Sequence, residues 1–434
     1  MMTTGCKKVL RDDYLKIENL VKEHELTSKN SLHLVPTENL LSPLARLFLL
    51  SDGVGRYALD NFDNGNWFLA GSENLNKIEN IINKKVKSLF GARYSNIAPL
   101  SGMNCMLIML YAMKSQTNSM FHMPMCFGGH DCTSKLAQTI GVTSSNLIFD
   151  RENLCIDVDK SAKQINKNNS SHIYLDSSMI LFPHPIRELR KAITNKSIIT
   201  YDGSQVMGLI AGGSFQKPLK EGADFLSGSV HKSFFGPQKA IILGKEINDC
   251  SEKVTRSAKE LISNKHMNDV LAFSISLLEM DKFGAKYSSQ CIKNAKAFAE
   301  EMYLKGFDVQ ASEKNFTQSQ QVWINPEKIS TNLKKPLIEL AKSNIFINQT
   351  RIPSLGGELG WRIGTQEITR LGMKEEQMKE IAKIMSDNLN GKKNSNETKQ
   401  SVLNLRDEFS EIKYCLKLDN SRLRGLLDLF GYSI

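Results

Sequence analysis

The sequence predicts an α/β fold, with a mostly parallel sheet covered by helices and a smaller α+β domain behind it. Three observations predict it. Helical and strand-like windows alternate between residues 30 and 280, the pattern of strand–helix–strand units. The window Ile198-Ile-Thr-Tyr-Asp202 is an apolar run ending in an acid. It reads as a strand buried on both faces, with a carboxylate at its C-terminal end. The chain has 434 residues and 41% hydrophobic content, enough for one large domain plus a smaller one. The expected division is a helical arm over 1–29, a large domain over 30–285 and a small domain over 286–434.

Residues 7–27 place Leu10, Tyr14, Ile17, Leu20 and Val21 near helical spacing, so an amphipathic helix is expected there. Pro99-Leu-Ser101-Gly102-Met103-Asn104 precedes the apolar run from Cys105 and reads as a turn opening a helix. Gly128-Gly129-His130 reads as a flexible loop that presents a flat ring. Residues 260–300 read as one long helix with Val270–Leu278 at its apolar centre, carrying the chain into the small domain. Gln320–Asn325 and Trp361–Gly364 are the expected strands of that domain. Asn390-Gly-Lys-Lys-Asn-Ser-Asn-Glu-Thr reads as a polar linker. A last helical segment is expected around Leu403, Phe409, Ile412 and Leu416.

The chemistry concentrates in Ser227-Gly-Ser229-Val-His231-Lys232-Ser233-Phe-Phe-Gly236-Pro237. A lysine after histidine and small hydroxyl residues, followed by Gly-Pro, suits a Schiff base with pyridoxal 5'-phosphate (PLP). The small residues leave hydroxyls such as that of Ser229, and backbone N–H groups, to hold a phosphate. Asp202, at a strand end where open α/β sheets bind ligands, suits the protonated pyridine nitrogen. The helix opening at Ser101-Gly102-Met103 suits the phosphate through its N–H groups and dipole. His130 suits stacking on the ring, and Arg362 suits a substrate carboxylate through a bidentate fork.

Other classes are disfavoured. The net charge of +10 is spread along the chain, and no basic motif interleaved with aromatics argues for nucleic acid. Eight cysteines form no disulfide framework in a chain this long. His122, Cys126, His130 and Cys132 match no standard zinc spacing, so no metal is expected. There is no signal-peptide core and no stretch apolar enough to span a bilayer, so the expected setting is a reducing cytoplasm.

In order, these windows resemble the serine hydroxymethyltransferase family, from about Leu34 to Ile384. Val35-Pro-Thr37-Glu38-Asn39, Asn96-Ile-Ala-Pro-Leu-Ser-Gly, Gly128-Gly-His130, Tyr201-Asp202, His231-Lys232, Arg362-Ile-Gly-Thr and Thr369-Arg-Leu-Gly carry the resemblance. It implies a fold-type-I PLP enzyme with a seven-stranded sheet. It implies Lys232 as the Schiff-base lysine, Asp202 on the ring nitrogen and His130 on the ring face. Ser101, Gly102 and Met103 would bind the phosphate. Ser178 would sit near the phenolic oxygen, and His231 against the ring or phosphate. Thr37 and Arg362 would hold the substrate carboxylate. Tyr57 would serve a neighbouring subunit, since the family's sites lie at a dimer interface; a homodimer or tetramer is expected.

The departures bear on the reaction. The family's glutamate two residues after Tyr57 is Leu59 here; Asp60, one step along, is the candidate replacement and enters the catalytic set with Lys232, Asp202 and His130. Trp67-Phe68 replace a pair of tyrosines. Gln205 stands for a histidine and Gln238 for an arginine. The segment Leu261–Lys265 replaces a glycine-rich phosphate loop, and Asn348 is loosely matched to a folate-contacting asparagine. The changes fall on the folate side and the phosphate rim. The expected function is therefore Cα–Cβ bond making or breaking in β-hydroxy-α-amino acids through a glycyl quinonoid, by a folate-independent aldolase or L-threonine transaldolase acting on an amino acid and an aldehyde. A tetrahydrofolate-dependent hydroxymethyltransferase and an aminotransferase are the alternatives.

Overall fold

The computed structural model describes residues 4–58, 70–114, 118–170, 172–327, 329 and 334–432. The main sheet has seven strands: β1 Tyr94–Asn96, β2 Ser119–His122, β3 Thr143–Asn146, β4 His172–Leu175, β5 Ile198–Asp202, β6 Phe225–Ser229 and β7 Ala240–Gly244. Their spatial order is β1-β7-β6-β5-β4-β2-β3. All neighbours from β6 to β3 are parallel, while β7 runs antiparallel to both β6 and β1. Every residue of β4, β6 and β7 is buried, as expected for strands covered on both faces. The edge strand β3 is Thr-Ser-Ser-Asn and largely exposed; its polar side chains blunt a sheet edge.

The smaller sheet has four strands: β8 Asp308–Val309, β9 Gln321–Asn325, β10 Asn348–Arg351 and β11 Leu359–Gly364, in the order β8-β9-β11-β10. Its own core gathers Trp361, Ile363, Met378, Ile381 and Phe298. Leu32 and Leu34 belong to that core too, because Leu32–His33 pairs in parallel with Ile345–Phe346. The early chain therefore packs with the C-terminal layer.

Five helices matter below: α1 Thr4–Lys29, α2 Gly102–Lys114, α3 Met267–Leu304, α4 Gln366–Arg370 and α5 Ser395–Glu408. The 38-residue α3 joins the two cores: Phe273, Leu277 and Cys291 lie in the first, Ala295 and Phe298 in the second. On α1, Tyr14, Ile17, Leu20 and Val21 are exposed, so its apolar stripe is uncovered in the single chain.

Three local expectations need correction. The helix expected over 260–300 is broken: one helix ends at Leu261 and α3 starts at Met267. Asn264 Oδ1 accepts the His266 N–H at 2.8 Å, and His266 has φ 52°, a side-chain bond competing with helix continuation. The linker at Asn390 is shorter than expected. Asn394 caps α5, accepting from Glu397 N at 3.0 Å while Glu397 Oε2 accepts from Asn394 N at 2.8 Å. That capping box turns Ser-Asn-Glu-Thr into the first helical turn. The terminal helical segment divides as well. Leu403 lies in α5, Ile412 and Leu416 lie in irregular chain, and a separate helix spans Asn420–Leu429.

Candidate active site

The parallel strands end together, and the candidate site lies beyond those ends, where such sheets bind ligands. Asp202 is the last residue of β5. Its Oδ2 accepts from the Tyr174 hydroxyl at 3.1 Å and its Oδ1 from the Ser204 N–H at 2.9 Å. Gly228 of the neighbouring β6 has φ 143°, and a Cβ there would lie 2.6 Å from the Ser204 nitrogen and 3.0 Å from Asp202 Oδ1. Glycine is required for the two strands to close on this carboxylate.

Lys232 lies three residues past the end of β6, in a closed turn. Gly236 N–H returns to the Val230 carbonyl at 2.7 Å, and Phe235 takes φ 57°, a strained value for a bulky residue. The Arg370 guanidinium holds it, 3.5 Å from the Phe235 ring centre. Arg370 is itself paired with Glu279 at 2.8 Å, and both are fully buried. Asn39 Nδ2 donates to the Lys232 carbonyl at 2.8 Å, tying the turn to the Thr37–Asn39 segment. Burial pushes the Lys232 amine down to about 8; Asp202 raises it and Arg362 lowers it further. A lysine held so is partly deprotonated near neutrality and able to attack a carbonyl.

Thr37, Gly128, His130, Ser178, Gln205, Lys232 and Arg362 line one cleft of about 370 Å³. The loop presenting His130 is locked rather than flexible. A Cβ on Gly129 would sit 2.1 Å from the Met123 carbonyl oxygen, and Gly128 has φ 92°. Buried Asp176 secures that loop, accepting from Met123 N–H at 2.9 Å and His130 N–H at 3.1 Å. His130 Nδ1 faces both the Cys132 N–H at 3.2 Å and Asp131 Oδ1 at 3.3 Å. Asp131 and Cys132 place ligand atoms within 4.8 Å of the His130 ring, whereas His122 and Cys126 stay outside that group.

Arg362 enters the cleft from β11 and is 6% exposed. Its Nη1 donates to the Ser178 carbonyl at 3.1 Å. Asn348, its neighbour on β10, braces the other side. With its amide oriented to satisfy both ends, the oxygen accepts from Nη2 at 3.2 Å and the nitrogen donates to the Arg362 carbonyl at 3.1 Å. Burial lowers the Arg362 guanidinium to about 10. Gln205 packs against the smaller sheet; its Oε1 accepts from Gln321 Nε2 at 3.3 Å.

Ser101, Gly102 and Met103 open α2 as expected. Ser101 Oγ accepts the Asn104 N–H at 3.2 Å, and Asn104 Oδ1 accepts the Leu100 N–H at 3.0 Å. A Cβ on Gly102 would come within 2.9 Å of Ser229 Oγ, so the α2 start and the end of β6 share one small hollow. Ser229 N–H donates to Ser204 Oγ at 2.9 Å. His231 Nδ1 is buried with no hydrogen-bond partner, an unmet polar atom next to Lys232. Burial, then the Lys232 charge, holds the His231 ring near 4, so it is neutral. These features fit PLP: a neutral ring with an unmet nitrogen, a hollow only glycine permits at a helix start, a depressed lysine and a carboxylate at a strand end.

Tyr57 is 47% exposed and does not line the cleft of its own chain. Asp60, Leu59, Trp67 and Phe68 lie outside the described residues. Sequence reasoning missed four contributors. Tyr174 hides inside an apolar strand. Arg351 and Thr350 line the cleft from β10, whose Asn-Gln-Thr-Arg carries no apolar alternation. Asp176 had a usable signal, because His172-Ile-Tyr-Leu-Asp176 is, like the Asp202 window, an apolar strand ending in an acid.

The serine hydroxymethyltransferase family model matches residues 10–385. A serine hydroxymethyltransferase of Archaeoglobus fulgidus is 33% identical over 404 residues, covering 91% of this chain and 91% of its own. That of Picrophilus torridus is 34% identical over 418 residues, covering 94% and 96%. A crystal structure of L-threonine transaldolase from Pseudomonas fluorescens, in its internal aldimine state, superposes with a TM-score of 0.90 at 26% identity, covering 98% of this chain and 99% of that one. This chain is a PLP-dependent enzyme of transferase type and belongs to the serine hydroxymethyltransferase family.

Proposed function

We propose that this enzyme makes and breaks the Cα–Cβ bond of β-hydroxy-α-amino acids without folate, as an aldolase or L-threonine transaldolase. The observation that carries the reading is the meeting of Lys232, His130, Thr37, Ser178 and Arg362 in one cleft of about 370 Å³, a size suited to an amino acid and a small aldehyde. The likeness to a solved L-threonine transaldolase supports it over nearly the whole chain.

Lys232 would hold PLP covalently, with Asp202 toward its ring nitrogen and His130 toward its ring face. Ser101, Gly102, Met103 and Ser229 would hold the phosphate with His231, and Gln205 and Ser178 would lie at the ring edge. Bound there, PLP supplies an electron sink for charge developing at Cα. Asp202, fixed in direction by Tyr174 and Ser204, would keep that sink electron-poor. Arg362 grips the substrate carboxylate with Thr37 beside it, and so sets which Cα bond stands ready to break. The Lys232 amine, freed when the substrate amine takes its place on PLP, would exchange the proton at Cα. The β-hydroxyl proton goes to His130 or Asp60. Either glycine is released, or a second aldehyde is taken up and a new β-hydroxy amino acid forms.

Tyr57 points to a homodimer or tetramer with shared sites, because its half-exposed ring lies outside its own cleft; the uncovered stripe of α1 adds to this.

The test is to incubate PLP-loaded protein with threonine and an aromatic aldehyde, without folate. Acetaldehyde and a new β-hydroxy amino acid are expected. The names of the curated relatives favour a second reading, tetrahydrofolate-dependent serine–glycine interconversion. If serine turns over only with tetrahydrofolate, and threonine gives neither product, that reading replaces ours. Release of an α-keto acid would point instead to an aminotransferase.

A further inference from the structure

A second cavity, of about 730 Å³, shares no lining residue with the Lys232 cleft. It lies where the end of α1, the Leu40–Leu44 stretch, α4 and the segment after α5 come together. Leu26, Leu41, Leu44, Leu371, Ile412 and Leu416 give it apolar walls. Its volume is that of a site for a small organic molecule.

Of the charged residues lining it, Glu25, Lys29, Arg46, Glu411 and Lys417 are exposed, and two of opposite charge, Glu367 and Arg406, are buried. Glu367 is 5% exposed, and its carboxylate has no hydrogen bond or ion pair among the described residues. Arg406 is 6% exposed; its Nε donates to the Lys29 carbonyl at 3.1 Å and its Nη1 to the Phe409 carbonyl. Its Nη2 has no acceptor among the described residues. Each feels the charge of the other, yet they form no ion pair with one another. Burial works against both ionised forms, raising the Glu367 carboxyl to about 7 and lowering the guanidinium. With no protein partner, the Glu367 carboxylate on the cavity wall is open to a ligand.

We propose that this cavity is a second binding site, for an α-amino acid with a large apolar side chain. Its ammonium meets Glu367, its carboxylate meets the open side of Arg406, and its side chain lies among the leucines. A simple amine would satisfy Glu367 but set its charge against Arg406. A simple carboxylate would do the reverse. A zwitterion answers both in one molecule, in surroundings where unpaired charge is costly. Occupancy braces the α1 end against α4 and the C-terminal segment, which makes it an effector site on an enzyme of amino-acid chemistry.

The test uses holoenzyme reduced with borohydride, whose lysine-bound cofactor no longer exchanges with amino acids. The cleft is then silent, and failure here leaves the proposed reaction untouched. Calorimetric titration with L-leucine is expected to give one site per chain at millimolar or tighter affinity. Both 3-methylbutylamine and 4-methylpentanoate, each keeping one charge, should bind roughly 10-fold more weakly, as should L-leucine to the shape-preserving Glu367→Gln variant. Arg406→Met should weaken it similarly; its thermal denaturation is compared with wild type, because that arginine also holds two carbonyls. The proposal is overturned if no heat of binding appears, if Glu367→Gln binds as wild type, or if either single-charge analogue matches L-leucine.

Discussion

The Tyr174 hydroxyl donates to Asp202 Oδ2 at 3.1 Å from inside the neighbouring strand, where the tyrosine is fully buried. Burial and the nearby Asp202 charge both push the Tyr174 phenol well above its ordinary value, so it stays a donor. With Ser204 N–H on the other oxygen, the carboxylate is fixed in direction.

Removing that donor should therefore be felt at the cofactor. Tyr174→Phe deletes a hydrogen bond to a charged acceptor, worth about 1.5–3 kcal/mol. PLP affinity of the apoprotein should fall roughly 10-fold or more. Fluorescence titration with PLP measures it, with Asp202→Asn as the more severe reference. Unchanged affinity and turnover in Tyr174→Phe would remove the tyrosine from this account.

The Lys232 amine predicts a pH profile. Burial brings it from an ordinary lysine value down to about 8. Only the deprotonated amine attacks the cofactor aldehyde, so covalent capture of PLP by the apoprotein should accelerate through about pH 8 and level off above. Stopped-flow absorbance gives the rate. Capture with no rise between about pH 7 and 9 would show that the lysine is not held as the structure indicates. Lys232→Ala should capture none.

Arg362 predicts a split between binding and chemistry. Ser178 and Asn348 hold the guanidinium on two sides, leaving its remaining donors for substrate. A lysine at this place cannot reproduce the fork. Arg362→Lys should raise KM for the amino acid by about 10- to 100-fold, the span of about 1.4–2.7 kcal/mol for a charged hydrogen-bonded pair. Asn348→Ala should give a smaller rise of the same kind. Arg351, exposed at the cleft and bonded to the Gly357 carbonyl at 3.0 Å, should matter less for the carboxylate. An Arg351→Met variant more damaging to KM than Arg362→Lys would exchange their roles.

Much of this was legible in the sequence, for identifiable reasons. Buried parallel strands are continuous apolar runs, and their ends carry the ligand, so Asp202 stood out before any coordinates. Lys232, His130 and Arg362 sit in windows whose glycines are fixed by close contacts, and those glycines mark the windows in the sequence. Tyr174 was hidden because its burial in an apolar strand reads as packing. The break before His266 and the cap at Asn394 were missed for one common reason. In each, a side-chain oxygen takes a backbone N–H, and short polar runs do not announce which bond they will make. Glu367 was invisible because a lone glutamate in Thr-Gln-Glu-Ile carries no sign of burial.

Lys239 is the last residue whose burial makes a prediction. It is fully buried two residues after Pro237, and its Nζ reaches the carbonyls of Lys265 at 3.0 Å, Ala98 at 3.4 Å and Pro99 at 3.5 Å. One amine thus joins the turn that opens α2 to the segment just before α3, where Lys265 pairs with Glu79 at 2.8 Å. Burial drives the Lys239 amine down to about 7, with Asp269 and Glu79 pulling it back. Lys239→Met keeps the volume but takes the donor from the Ala98 and Lys265 carbonyls, while Pro99 keeps the Ala240 N–H at 3.2 Å. The fold should lose about 1–3 kcal/mol, and the phosphate hollow at Ser101–Met103 should loosen with it. Thermal denaturation with and without PLP separates these effects. A structural role alone lowers both midpoints equally, whereas a role in positioning the phosphate turn also shrinks the gain that PLP confers. Because depression to about 7 leaves the amine poised, the wild-type gain should show a pH dependence around that value, beyond the one Lys232 imposes near 8, that the Met variant lacks. A wild-type and variant pair with equal PLP gains at every pH would reduce Lys239 to packing.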